Sequence, residues 1–145
     1  MRKYSLPLVA FAFFSAIAAG STSAKEESPS TCSLATLHGT MAWSSTYTDA
    51  GVPGAASGFE SYDGHGNLKY SQIRSDGYKT WNFTGTGTYT ITAGCIASVV
   101  YDGYGPPFVY FVAPNGSAYF WTNNQNLGRV AAGKAERVTE ALLVK

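Results

Sequence analysis

The stretch WNFTGTGTYTITAGC, from Trp81 to Cys95, decides the fold class of this chain. In its first part, aromatic, aliphatic and glycine residues occupy every second position, and asparagine or threonine fills each position between them. A period of two places these sets on opposite faces of an extended strand, one suited to a core and the other to a half-wet surface. An alternation of about twelve residues is long for one strand, so Gly85 and Gly87 indicate a bulge or a bend. Long, bent strands are typical of barrels and coiled sheets.

The rest of the chain reads as further short strands separated by turn residues. The predicted strands are 37–47, 56–62, 68–75, 81–91, 96–101, 108–112, 117–122 and 127–138. The turns and loops between them are predicted at Thr48–Ala56, Asp63–Asn67, Asp76-Gly77, Gly103–Pro107 and Asn123–Asn126. We therefore predict an all-β fold, a single antiparallel up-and-down barrel of about eight strands. The alternative, an immunoglobulin-type sandwich, fits less well because Cys32 precedes every strand.

The N-terminus has the pattern of a secretory signal peptide. Arg2 and Lys3 give a positive start, an apolar run follows over 6–19, and small residues stand at 22–24. The run of about 14 residues is short of the roughly 20 that a transmembrane helix needs, which disfavours a retained membrane anchor. The predicted parts are a signal peptide over 1–24, an N-terminal leader with Cys32 over 25–36, and a β-barrel domain over 37–145. A secreted or periplasmic protein is expected.

Charge and cysteine content exclude several classes of function. Without the two basic residues of the signal, eight basic side chains remain against nine acidic ones, and no basic cluster is left to bind nucleic acid or an anionic membrane. Cys32 and Cys95 are the only cysteines, and in an oxidising compartment they predict one disulfide. Two cysteines and two histidines at these spacings match no zinc pattern, and both His38 and His65 are expected at the surface. We expect no metal and no cofactor.

Three stretches carry a resemblance to a known family. They are CSLATLHGTM over 32–41, YDGHGNL over 62–68 and FTGTGTYTITAGC over 83–95. Together they resemble a family of small secreted bacterial β-proteins that is similar to the allene oxide cyclase barrel and, more loosely, to lipocalin-like barrels. The resemblance implies a barrel fold and a bacterial source, and it implies no catalytic residue for this chain. Tyr62 departs from the family pattern, which has Phe there, and Glu60 stands where an apolar residue is expected.

Two registers are open for the strands around Glu60. In the first, Glu60 points into the barrel with Leu68 on the next strand, and Arg74 meets Glu60 as an interior ion pair. A buried charge without a partner would be very costly, so each residue implies the other. In the second register, shifted by one residue, Phe59 and Ile73 point inward and both charges face water. The sequence favours the second register by a narrow margin.

Aromatic residues give the other signal. Most of them are expected to fill the interior of a small barrel. The runs 109–112 and 119–121 are apolar on both faces, which indicates either contact with a partner subunit or a rim where a flat apolar ligand enters. The candidate ligand-binding residues are Trp43, Glu60, Tyr62, Arg74, Trp81 and Tyr89.

No specific catalytic motif is present, so three functions remain open. The leading hypothesis is a non-enzymatic barrel that binds a small, mostly apolar ligand. The second is a cyclase or isomerase acting on a fatty-acid-like or polyketide-like substrate, with Glu60 as its acid or base. The third is a structural or interaction protein that uses the hairpin Val109–Trp121 as its contact surface, with a homo-oligomer as one form of it. An interior too full for a ligand would favour the third.

Overall fold

The protein is an all-β barrel of antiparallel strands, as the alternating sequence predicts. The structure is a computed structural model that describes residues 31–105, 107–126 and 129–144. Its strands are β1 (His38–Asp49), β2 (Val52–Asp63), β3 (Asn67–Ser75), β4 (Thr80–Ile91), β5 (Ile96–Tyr101), β6 (Phe108–Val112), β7 (Ala118–Asn126) and β8 (Arg129–Thr139). Each strand pairs with the next, and β8 pairs with β1, so the sheet closes on itself. Closure removes both sheet edges and excludes the sandwich alternative.

The two ends of the barrel differ. One end is covered by a short 3₁₀ helix, Leu34–Thr36, which the disulfide between Cys32 and Cys95 ties to the β4–β5 turn. Arg137 fastens the same end by donating to the carbonyl oxygens of Thr36 at 3.1 Å and Gly116 at 2.9 Å. We call this the closed end. The opposite end, where the β1–β2, β3–β4 and β5–β6 connections lie, is called the mouth.

Several predicted loops prove to be strand or longer turn. The β1–β2 turn needs only Ala50 and Gly51, both at positive φ (50° and 84°), so the predicted loop Thr48–Ala56 is wrong and the strands pair up to Asp49. The predicted loop Asn123–Asn126 likewise belongs to β7. At the β3–β4 connection, the predicted two-residue hairpin is a four-residue turn, because the Asp76 carboxylate accepts the backbone N–H groups of Tyr78 and Lys79, both at 2.9 Å.

The C-terminal residues lie along the outside of the barrel at the closed end. The Thr40 hydroxyl donates to the carbonyl oxygen of Ala141 at 2.6 Å and accepts the N–H of Leu143 at 3.0 Å. The Ser61 hydroxyl accepts the N–H of Val144 at 3.1 Å. These contacts explain why Thr40 and Ser61 are buried although they face outward.

The predicted signal peptide over 1–24 lies outside the described residues, as does the first half of the leader, 25–30. Within the described part of the chain, no helix has the length and apolar character needed to cross a membrane.

Candidate functional site

Glu60 points into the barrel interior, which we call the lumen. It lies opposite Met41 on β1 and Tyr70 on β3, and all three side chains are buried. Phe59 and Ile73 are 43% and 54% exposed, so the second register, which the sequence favoured, is wrong. A register shift of one residue would expose Tyr70 and its buried neighbours to water. The apolar area lost from the core would cost more free energy than the burial of one carboxyl group does.

Tyrosine hydroxyls surround the Glu60 carboxyl group. Tyr62 donates to Oε2 at 2.5 Å, Tyr119 donates to the same oxygen, and Tyr101 donates to Oε1. The Tyr110 hydroxyl is hydrogen-bonded to that of Tyr101 and extends the network by one member. Three donors satisfy most of the acceptor capacity of a carboxylate, which is how a buried acid is kept without an ion-pair partner. We call these five residues the Glu60 cluster.

Barrel closure brings the cluster together. Glu60 and Tyr62 are two residues apart on β2 and therefore share its inner face. Tyr110 on β6 and Tyr119 on β7 reach across from the far side of the ring of strands, and their rings stack with centroids 4.5 Å apart. Long tyrosine side chains span a narrow lumen, so their hydroxyls meet a carboxyl group from the opposite wall.

Burial sets the ionisation of the cluster. Desolvation raises the pKa of Glu60, while the hydrogen bonds from Tyr101, Tyr119 and Tyr62 lower it, and burial dominates. Burial and the neighbouring Glu60 charge raise the pKa values of the tyrosines well above their ordinary value. The tyrosines therefore stay protonated as hydrogen-bond donors to the Glu60 carboxyl group.

A small cavity lies between the Glu60 cluster and the mouth. Its volume is about 60 Å³. Its wall includes Glu60, Tyr101, Tyr110, Trp43, Trp121, Phe108, Tyr70, Gln72, Ser45, Ala56 and Ala131, and its upper rim includes Tyr47, Arg74, Tyr104 and Arg129. Trp43 is only 8% exposed, and its indole N–H has no hydrogen-bond partner among the described residues. An unmatched buried donor beside a cavity is a place where a ligand oxygen would be stabilised.

The rim of the cavity holds two arginines that share one acid. Arg74 Nη2 lies 2.9 Å from Asp49 Oδ2, and Arg129 Nε lies 3.8 Å from the same oxygen. Both guanidinium groups also face the Tyr47 ring, at 4.2 Å and 5.6 Å from its centroid. The Tyr47 hydroxyl donates to the carbonyl oxygen of Ser75 at 2.9 Å and so holds the ring in place. The rim is thus a layer of stacked cations and one aromatic ring.

The expected ion pair between Glu60 and Arg74 is not formed. Arg74 pairs with Ala56 across β2 and β3, four residues along β2 from Glu60, so its side chain lies at the rim while Glu60 lies deeper. Arg74 finds its counter-ion in Asp49, and Glu60 finds hydrogen-bond donors instead. Both residues do face the lumen, as the first register requires.

The six candidate ligand-binding residues separate into three groups. Trp43, Glu60 and Arg74 line the cavity, and Tyr62 holds Glu60 from below. Tyr89 lies at the closed end, where its hydroxyl donates to the carbonyl oxygens of Leu34 and Leu37, and burial raises its pKa to about 12. Trp81 does not line the cavity, and Lys79 Nζ lies 5.6 Å over its ring. Tyr89 and Trp81 therefore make structural contacts, and neither residue lines the cavity.

Sequence reasoning missed Tyr101, Tyr110, Tyr119 and Arg129 as members of one site. The first three stood among aromatics expected to fill the interior, and alternation alone would place Tyr110 and Tyr119 inward. Their meeting with Glu60 depends on which strands face each other across the closed ring, and no local pattern carries that information.

The hairpin 109–121 has a double character. Tyr110 and Tyr119 are buried in the lumen, whereas Phe111 and Phe120 are 54% and 64% exposed and pair with each other on the outer face. This explains why the sequence is apolar on both faces there.

No group of acidic, histidine or cysteine side chains in the described ranges could hold a metal ion.

Comparison with family models, with curated proteins and with solved structures finds no match for this chain. The resemblance to the allene oxide cyclase and lipocalin-like barrels therefore stays a prediction.

Proposed function

We propose that this protein is a secreted or periplasmic barrel that binds a small, mostly apolar molecule in its lumen without transforming it. The observation that carries the proposal is the cavity between the Glu60 cluster and the arginine rim, with its aromatic wall and its unmatched indole N–H. A protein that needed its lumen only as a core would gain by filling this space with apolar side chains, because unfilled volume and unpaired donors both cost stability.

The size of the cavity limits the ligand. A volume of about 60 Å³ is far below the roughly 300 Å³ of an ordinary small-molecule pocket. The lumen can therefore take one small, flat group, which lies among Trp43, Phe108 and Trp121 with a polar atom toward Glu60 or the Trp43 N–H. The remainder of the ligand lies at the mouth.

Residues 131 and 132 offer a matched test. Ala131 is buried and lines the cavity, whereas Ala132, its neighbour on β8, faces outward and is exposed. A ligand-observed NMR screen of small planar compounds on the wild-type protein identifies binders. Ala131→Leu fills the cavity and should weaken their binding by about tenfold or more, whereas Ala132→Leu should leave it unchanged.

Either of two results would overturn the proposal. One is that no planar compound binds the wild type more tightly than it binds Ala131→Leu. The other is that Ala132→Leu weakens binding as much as Ala131→Leu does, which would place the compounds on the outer face.

A second candidate function is proton-transfer catalysis in the same lumen. It is favoured by the burial of Glu60 at the cavity wall, which raises the pKa of its carboxyl group in the direction that suits a general acid or base. A cyclase or isomerase of this kind would lose turnover on Glu60→Gln while it kept substrate binding. A binding protein would show no turnover in either form.

A third candidate is assembly through the outer face of the hairpin. It is favoured by Phe111 and Phe120, whose paired rings are exposed. If this surface forms a homo-oligomer, analytical ultracentrifugation should show an oligomer for the wild type and a monomer for Phe120→Ser. A monomeric wild type at high concentration would speak against it.

A further inference from the structure

We infer that the ligand carries a single carboxylate, which Arg74 and Arg129 bind at the rim while its flat apolar body occupies the cavity. The inference rests on the proposed function, since it names the class of molecule that the lumen would take. It is carried by the charges, the unpaired donors and the position of the rim.

At the rim, two guanidinium groups share a single ion-paired carboxylate. Asp49 is the only acidic side chain paired with either guanidinium group among the described residues. Asp76 lies in the neighbouring turn and its charge attracts that of Arg74, but it forms no ion pair with Arg74 and accepts the backbone N–H groups of Tyr78 and Lys79. Residues 123–128, which adjoin Arg129, include no charged residue. Two guanidinium groups beside one carboxylate leave room for one further monoanion.

The hydrogen-bonding capacity of the rim is also incomplete. The Nε atoms of Arg74 and Arg129 are both buried and have no hydrogen-bond partner among the described residues. A guanidinium group binds a carboxylate best through two parallel N–H donors, of which Nε is commonly one. Asp49 makes no hydrogen bond to either Nε atom, although it lies 3.8 Å from that of Arg129, and a planar oxyanion would satisfy both once the guanidinium groups turn toward it.

The position of the arginines fits an acid with a flat body. Both line the same cavity as Trp43, Phe108 and Trp121, on its mouth side. A carboxylate at the rim places the apolar body of the molecule against these rings and keeps the charge of the ligand away from the buried Glu60 carboxyl group. A phosphate ester carries two negative charges at neutral pH. A carboxylate carries one, which is the better match for two guanidinium groups that already share Asp49.

The test compares flat carboxylic acids with their neutral amides. Isothermal titration with benzoate, cinnamate, benzamide and cinnamamide should give the acids an affinity about tenfold higher at low salt, and added salt should remove most of the difference. Arg74→Gln and Arg129→Gln should each lower the affinity for the acid to that for the corresponding amide. Lys79→Gln removes a positive charge at the mouth outside the cavity and should have little effect. Phenyl phosphate serves as the second anion and should bind more weakly than benzoate.

Asp49→Asn gives a result of opposite sign, which keeps the test decisive if an arginine variant fails to fold. Removal of the competing carboxylate should tighten binding of the acids and leave the amides unchanged. The inference is overturned if acids and amides bind equally, or if Asp49→Asn weakens the acids. If amides bind as well as acids and Ala131→Leu still abolishes binding, the inferred carboxylate is wrong, whereas ligand binding in the lumen stands. If no compound responds to Ala131→Leu, the proposed function itself fails.

Discussion

Glu60 is the residue on which the account of the lumen depends. Its pKa is raised by burial, so the folded protein binds this proton more tightly than the unfolded chain does. The stabilising contribution of that proton is complete below the ordinary pKa of a glutamic acid. It is lost as the pH rises toward the raised pKa of the folded state.

This linkage predicts how Glu60→Gln changes stability. The variant has no proton to lose, so its free energy of unfolding relative to wild type should rise with pH across that window, by at most about 1.4 kcal/mol per pH unit. Urea unfolding of both proteins between about pH 4 and pH 8 measures the difference. A difference that is constant over the range, or that falls, would show that burial does not raise this pKa.

The tyrosine donors predict a second result at the same scale. Tyr119→Phe removes one hydroxyl from the Glu60 carboxyl group and leaves an acceptor unsatisfied. The expected cost is about 1–3 kcal/mol in the free energy of unfolding, together with a further rise in the pKa of Glu60. Tyr78→Phe is the control because Tyr78 is 94% exposed and should change neither quantity. Equal stability of the two variants would mean that the network holds nothing in place.

Much at the residue scale could be predicted from sequence, and the limits are informative. The alternation in β2 offered two faces for Glu60, but the choice between them depends on the burial of Tyr62 and Tyr70, a sum over several strands. The predicted partner of Arg74 is wrong because the sequence pattern places Asp49 in a loop. A tight two-residue turn at Ala50 and Gly51 extends β1 far enough to bring that carboxylate to the rim.

At the scale of elements, Gly58 shows how close β2 and β3 lie. A Cβ atom at this position would meet the backbone oxygen of Ser71 at 2.1 Å and the Cα of Gln72 at 2.8 Å. Backbone cannot move aside cheaply, so Gly58→Ala should lower the free energy of unfolding by about 1–3 kcal/mol or more. Gly105→Ala, where nothing lies within 4 Å, is the matched control. Thermal unfolding of both variants checks the prediction, and equal midpoints would contradict the pairing of these strands.

Sequence predicts the bounds of a strand well where turn residues flank an apolar run. The bounds of β5 and β6 agree with the expected 96–101 and 108–112. Polar runs are less informative, because the ladder continues through Asn123–Asn126 wherever a neighbouring strand offers partners. Strand pairing depends on two strands, whereas a sequence pattern describes only one strand at a time.

At the scale of the whole molecule, the disulfide joins the N-terminal segment to the sheet. Cys32 and Cys95 are 63 residues apart, and the bond holds the 3₁₀ helix over the closed end. Replacement of both by serine should lower the free energy of unfolding by about 4 kcal/mol in the chain-entropy model. Urea unfolding of the double variant gives the value. A loss below about 1 kcal/mol would mean that the closed end stays in place without the bond.

The account stands on one claim about the whole barrel, that its lumen is a binding site. The measurement that tests it most directly is a crystallographic screen in which crystals of the protein are soaked with small planar acids and their amides. We predict electron density for a flat group that lies against Trp43 and Trp121, above Glu60, with the carboxylate of an acid on Arg74 and Arg129. Compounds found only on the outer face around Phe111 and Phe120, with the lumen holding water alone, would contradict it.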